Sequence, residues 1–286
     1  MPQSSEAQDI NKKITTKNGK EKLLGKVTKA DFTKNSFAAW FQPSFDRYQV
    51  NKKLLIAKRL KKELKTYKIE AFMGTWCGDS RKEIPRFYKV LEAINFPMSQ
   101  LKMIAVDHTP NQYKKSPNGE EKGKNIFRVP TFIFYKNGKE INRIVEHPIL
   151  TFEEDIVAIV TGETYNPNYN GVNILIKIIK EKGLNTITTK KTVSILKPYF
   201  KNDYDLNGYG YLLLRNKEYK KAIAVFKLNT VLFPNKLNTY DSLAEAYELS
   251  GHKKMAIANY KLALQLIKDN PTIKKLQDKI ARLEHN

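Results

Sequence analysis

The chain has 286 residues, 41% of them hydrophobic and 11% aromatic, and its 51 basic and 29 acidic side chains leave a net charge of +22. This composition excludes a disordered chain and suits two domains with buried cores; no apolar run approaches the roughly 18 residues of a membrane-spanning helix, and a single cysteine, Cys77, excludes an intramolecular disulfide. The charge is spread evenly, +11 over residues 1–165 and +11 over 166–286, and 43 basic residues are Lys against 8 Arg, which describes a solvated lysine-rich surface and argues against a nucleic-acid or membrane partner.

Residues 1–20 are polar, end in Asn18-Gly19-Lys20 and read as a flexible leader without the apolar core of a signal peptide. The start Met1-Pro2-Gln3-Ser4-Ser5 fits two cases equally, a cytoplasmic chain and a mature extracytoplasmic chain whose signal was replaced by an initiator Met. The compartment stays open. Residues 21–163 read as the first domain. Within 23–50 the cluster Phe32, Phe37, Trp40, Phe41, Phe45 and Tyr48 predicts a short helix and turn packed on the body of that domain. From Lys52 to Tyr67, Leu54, Leu55, Leu60 and Leu64 lie at helical spacing beside Lys58, Lys61 and Lys65. Lys68 to Gly74 is a short strand pattern. Thr75-Trp76-Cys77-Gly78-Asp79-Ser80-Arg81 then leads into an amphipathic helix with Pro85 near its start and Phe87, Val90, Leu91 and Ile94 on one face.

Leu101–Asp107 predicts a second buried strand, and 109–125 a polar loop. Val129–Tyr135 and Ile141–Val145 flank Asn137-Gly138, a hairpin signal. A helix from about Phe152 to Val160 closes a β-α-β then β-β-α unit, which predicts a mixed sheet covered by helices. Residues 164–171, with Pro167, Gly171 and three Asn, read as a linker. Everything after it, 172–286, reads helical.

The helical half repeats with a period of 34. Leu206 falls on Tyr240, Gly210 on Ala244, Ala222-Ile223-Ala224 on Ala256-Ile257-Ala258, and Phe226 on Tyr260. Two helices per unit, small residues where they cross and an aromatic knob resemble tetratricopeptide repeats, with units at 203–236 and 237–270. The resemblance implies that Pro271 to Glu284 is a capping helix, that 172–202 is a connecting layer, and that the repeats either bind a protein ligand or stabilise the rest of the molecule.

Cys77 sits where a strand pattern ends and a helix pattern begins. A thiolate there is stabilised by unpaired backbone N–H groups and the helix dipole. Trp76 supplies an apolar wall, Gly78 lets a substrate backbone approach, and Ser80, three positions on, is placed to offer its hydroxyl to the sulfur. Asp79 works against the thiolate and Arg81 offsets it in part. The competing reading is a buried, inert cysteine.

Trp76-Cys77-Gly78-Asp79-Ser80-Arg81 after a strand, with Pro85 in the following helix, resembles the active-site turn of thioredoxin-fold proteins. Val129-Pro130-Thr131 before a strand and an Asn-Gly hairpin resembles that fold's cis-proline element. The resemblance covers about residues 50–160. It implies an α/β thioredoxin-like domain, with a mixed central sheet and flanking helices, ahead of an all-α repeat domain. It also implies that Pro130 is cis and lies against Cys77, and that the Val129 backbone pairs an extended substrate.

The family's second cysteine is replaced by Ser80, so the attacking thiol is kept and the resolving one lost. Cys77, Ser80 and Pro130 are the expected catalytic positions, and Trp76, Gly78 and Val129 the substrate-binding ones. The expected function is a monothiol thioredoxin-like protein that forms mixed disulfides with protein thiols or disulfides. Its alternative is a non-catalytic adaptor on the same scaffold. An iron–sulfur cluster needs about four ligands and is disfavoured with one thiol per chain. His108, His147, His252 and His285 lack ligand spacing, so neither metal nor cofactor is expected.

Overall fold

The computed structural model describes residues 12–15, 19–55, 58–267 and 270–285. Residues 1–11 and 16–18 of the segment read as a leader lie outside the described residues. The described part departs from that reading: β1 (Lys12–Thr15) pairs antiparallel with β2 (Glu21–Val27). The segment 23–50, read as a short helix and turn, begins instead with the body of a strand at 23–27. Lys22 to Gly25 are buried in succession, so β2 lies between other layers and lacks the alternation that marks a half-exposed strand.

Two short helices come next, α1 (Lys29–Phe32) and α2 (Asn35–Arg47), then α3 (Lys52–Leu55) and α4 (Lys58–Leu64). The Phe32 and Phe41 rings stack with centroids 5.6 Å apart, and Tyr88 lies edge-on to Phe41 at 6.0 Å. The expected aromatic cluster thus packs on the helix that carries Cys77. That helix, α5 (Gly78–Ala93), comes after β3 (Tyr67–Met73). Pro85 lies within it, where the ring removes the N–H that would bond the Arg81 carbonyl.

Then come β4 (Leu101–Ala105), β5 (Thr131–Lys136), β6 (Lys139–Val145) and α6 (Phe152–Thr161). The sheet order is β1-β2-β4-β3-β5-β6, with β3 and β4 parallel and every other neighbouring pair antiparallel. Asn137 (φ 51°) and Gly138 (φ 75°) close the β5–β6 hairpin in the left-handed region that such two-residue turns require.

Strand alternation gives the sheet two unlike faces. Ile69, Ala71, Met73, Met103, Phe132 and Phe134 face a core completed by the buried side of α1, α2, α4, α5 and α6. Phe72, Ile104, Val106 and Ile133 face a smaller cluster with Ile126 and Val129. Residues 106–130, whose one helical piece is a 3-10 turn at Pro110–Gln112, cover this second face. Glu153, 1% exposed, accepts from the Tyr48 hydroxyl at 2.7 Å and the Asn51 N–H at 2.8 Å, which fastens the chain after α2 to α6.

The chain divides into two compact units between Asn168 and Tyr169. Of the residues read as a linker, Tyr165 and Asn168 are tied down on the first unit, whereas Asn170 and Gly171 open the first helix of the second. The Tyr165 hydroxyl donates to Asp155 at 2.6 Å, and the Asn168 amide donates to the His147 carbonyl at 2.8 Å. Asn-rich segments suit such caps as well as they suit linkers.

The second unit is helical: α7 (Asn170–Lys182), α8 (Lys190–Leu196), α9 (Tyr204–Arg215), α10 (Tyr219–Leu232), α11 (Leu237–Leu249), α12 (Lys253–Gln265) and α13 (Asn270–His285). From α9 onward each helix packs on the next. α12 starts 34 residues after α10. At the α9–α10 crossing a Cβ on Gly210 would lie 2.4 Å from the Phe226 ring, so only glycine lets the helices approach this closely. Leu276 and Ile280 of α13 are buried, while Lys279 pairs with Asp241 and Arg282 with Glu248, each at 2.7 Å.

Candidate functional site

β3 ends at Met73, and Gly74 to Cys77 turn the chain into α5. The turn is closed by the Cys77 N–H donating to the Gly74 carbonyl at 2.9 Å. Cys77 is the N-cap of α5, with extended backbone (φ −89°, ψ 128°), and its carbonyl accepts the first helical bond, from the Arg81 N–H at 3.0 Å. The thiol therefore stands at the positive end of a 16-residue helix. It is half-buried, against the apolar cluster of Val106, Ile126 and Val129.

The second half of the site comes from the segment before β5. The Val129–Pro130 peptide bond is cis, and both residues are buried. The Cys77 thiol donates to the Val129 carbonyl oxygen, with Sγ 3.3 Å away. The Pro130 carbonyl accepts from the Glu146 N–H at 2.7 Å, which joins this segment to the end of β6.

Trp76 is held over the end of β4 by its indole N–H, which donates to the Val106 carbonyl at 2.9 Å. Its ring lies 5.6 Å from His108 and 5.4 Å from Tyr113, centroid to centroid. Neither neighbour is among the expected site residues; His108 stands out in the sequence only as a histidine without ligand spacing. Both sit in the polar loop after β4, and nothing local ties them to a residue some thirty positions earlier.

Ser80 departs from expectation. Its side chain is fully buried, and its hydroxyl accepts from the Gly74 N–H at 3.1 Å. No hydrogen bond joins it to the sulfur among the described residues. Side chains in a first helical turn lean toward the N-terminus, and the buried Gly74 donor needs an acceptor there. Arg81 is also committed, its Nε donating to the Thr75 carbonyl at 2.6 Å. Both bonds hold the turn in shape.

The two glycines exchange roles. A Cβ on Gly78 would meet nothing within 4 Å, so local packing does not require glycine there. A Cβ on Gly74 would lie 2.5 Å from the Trp76 ring. Gly74→Ala is therefore expected to push the indole off the Val106 carbonyl, at a cost of about 1 kcal/mol for the lost hydrogen bond. The indole N–H signal of Trp76 would move toward that of an exposed indole and acrylamide would quench it faster. An unmoved signal would refute the steric argument.

Glu70 has its side chain on the second sheet face, where its Oε2 lies 2.6 Å from Lys124 Nζ. Among the described residues no three His, Cys, Asp or Glu side chains gather as metal ligands.

A comparison with curated proteins found no match. The thioredoxin family model matches residues 54–158, which run from the end of α3 to α6 and enclose both halves of the site. The first unit thus has a thioredoxin-like fold, a mixed sheet with flanking helices, and a helix-rich region comes after it.

Proposed function

We propose that this is a monothiol thioredoxin-like protein whose Cys77 exchanges disulfides with other proteins, and that its helical unit engages partners through tetratricopeptide-like repeats. The observation that carries the reading is a half-exposed thiol at the start of α5, 3.3 Å from the carbonyl of a residue in a cis X-Pro bond. The Cys77 thiolate attacks one sulfur of a substrate R–S–S–R′. A Cys77 Sγ–S–R bond forms, the S–S bond breaks, and R′–S⁻ leaves with the electron pair and takes up a proton. One disulfide replaces another, so no outside oxidant is required. No second thiol lies in the chain, so release needs an external thiol R″–SH, which regenerates Cys77 and carries R away as R–S–S–R″.

The test incubates the full chain with a disulfide-linked peptide dimer and follows intact mass. One peptide adduct is expected on the wild type and none on Cys77→Ser. An adduct that forms no faster than on the urea-unfolded chain would overturn the reading. Ser80→Cys is expected to shorten the adduct's lifetime at least tenfold, because a thiol would then stand in the resolving position.

The consecutive packing of α9 to α12 at a 34-residue spacing supports the adaptor alternative for the helical unit. On that alternative a Cys77→Ser variant retains its partners in a pull-down. Covalent capture predicts their loss.

A further inference from the structure

The second sheet face is divided. Its apolar half is covered by residues 106–130 and adjoins Cys77, while its other half is polar and serves neither the core nor the thiol. The register sets Lys68 opposite Tyr135 and Glu70 opposite Lys102, on the same face as Phe72 and Ile104. A sheet covered on both sides would carry apolar side chains at these positions. Instead a cavity of about 550 Å³ opens over them, bounded also by Gln100 and Lys124. That volume falls in the range of small-molecule sites.

Two ammonium groups flank the Glu70 carboxylate in this cavity, a third, that of Lys68, belongs to its lining, and Glu120 also interacts with Lys102. Lys124 Nζ lies 2.6 Å from Glu70 Oε2, and Lys102 Nζ 3.7 Å from Glu70 Oε1. Lys68 has no ionic partner among the described residues. A positive excess in a concave, partly desolvated place draws in an anion. Gln100 adds a separate demand. Its Nε2 donates to the Lys65 carbonyl at 2.9 Å, which fixes the amide's orientation, and its Oε1 is sheltered from solvent without a donor. A buried acceptor left unpaired costs about 1–3 kcal/mol, so a ligand that donates there is favoured. Burial, and then the nearby Glu70 carboxylate, hold the Tyr135 phenol above its ordinary pKa, so it remains a hydrogen-bond donor.

We propose that this cavity binds a small organic phosphate. The phosphate lies against Lys68 and Lys102, and a small turn of the Gln100 side chain brings its Oε1 to a hydroxyl or amino group of the same molecule, which donates to it. Lysines act on phosphate as point charges and need no planar fork, which fits a site without arginine at its rim. The Cys77 chemistry takes no part, so either proposal stands without the other.

The test titrates the full chain in 0.15 M NaCl with ribose 5-phosphate, inorganic phosphate and citrate, and follows backbone amide shifts. Ribose 5-phosphate is expected to saturate shifts at Lys68, Glu70 and 99–102, with at least tenfold weaker binding in Lys68→Ala. Lys68→Arg would keep most of the affinity, and Lys177→Ala, on the exposed face of α7, would change nothing. Gln100→Leu is expected to erase the preference for ribose 5-phosphate over inorganic phosphate. Shifts that do not saturate, or an equal loss in Lys177→Ala, would show attraction to a lysine-rich surface and overturn the proposal. Tighter binding of citrate would mark a carboxylate site and overturn it equally.

Discussion

Phe132→Ala is expected to lower the unfolding free energy of the first unit by about 3–5 kcal/mol, the range for emptying a fully buried aromatic site. Phe132 is 0% exposed and opposes Ala71 across the sheet, a small partner that leaves room for the ring. Its ring lies 4.3 Å from Phe87 of α5 and 5.3 Å from Phe152 of α6, the latter edge-on. The three rings fasten both helices to β5, so the cavity left by truncation has walls on three elements and collapses poorly. Phe132→Leu keeps most of the volume and should cost about 1.5 kcal/mol or less. Both tryptophans, Trp40 and Trp76, lie in the first unit, so their fluorescence in urea reports that unit alone. With a slope of about 2.5 kcal/mol per molar, the midpoint should fall by about 1.2–2 M in Phe132→Ala. A fall below about 0.4 M would mean that the trio is not a principal support of the fold.

The site depends on the same residue at one remove. Phe132 stands two positions after Pro130, and the carbonyl that meets the thiol belongs to Val129. In the alanine variant the sulfur should also become more reactive toward an alkylating agent, because β5 would no longer press the Val129 carbonyl against it.

Several of these elements could be read in the sequence because their signals are local. β3 and the start of α5 are marked by a change of hydrophobic period across Gly74 to Cys77. The β5–β6 hairpin is marked by Asn137-Gly138, whose backbone adopts the positive φ values that this pair permits. β2 was missed because its burial is tertiary. Lys22 to Gly25 are enclosed by strands and a loop distant in sequence, and four successive buried positions carry no period. The same limit applies within the site. The position of Cys77 at a helix start is local, whereas the Ser80 bond to Gly74 depends on side-chain direction and the Trp76 contacts on a loop some thirty residues away. Gly74 looked like the end of a strand. Its purpose, to make room for the indole, appears only when the turn is built.

Lys22→Met should rank with Phe132→Ala in effect, through charge where the other acts through volume. Lys22 is 6% exposed in β2, and its Nζ lies 2.6 Å from Asp107 Oδ1 just beyond β4. Asp107 is 8% exposed and also accepts from the N–H groups of His108 at 2.6 Å and Thr109 at 3.1 Å. Removing the ammonium strands a buried carboxylate, which costs about 3–5 kcal/mol. The double variant Lys22→Met/Asp107→Asn should regain most of this, since an amide oxygen still accepts from both N–H groups and no charge is left unpaired. The pH dependence gives a second readout. In the wild type burial raises the Asp107 pKa, but Lys22 and the two N–H groups outweigh it and hold the value below the ordinary one. Its contribution is therefore present above about pH 4, the unfolded value, and is lost as the pH falls through the lower folded one. In Lys22→Met burial dominates and the folded pKa rises, so that variant loses stability as the pH climbs past it. The gap between the two proteins should thus be widest near pH 7 and shrink by more than half at pH 4. A gap that is equal at both pH values, or a double variant as weak as the single one, would show that packing of the lysine stem, and not its charge, is what β2 contributes beside the thiol site.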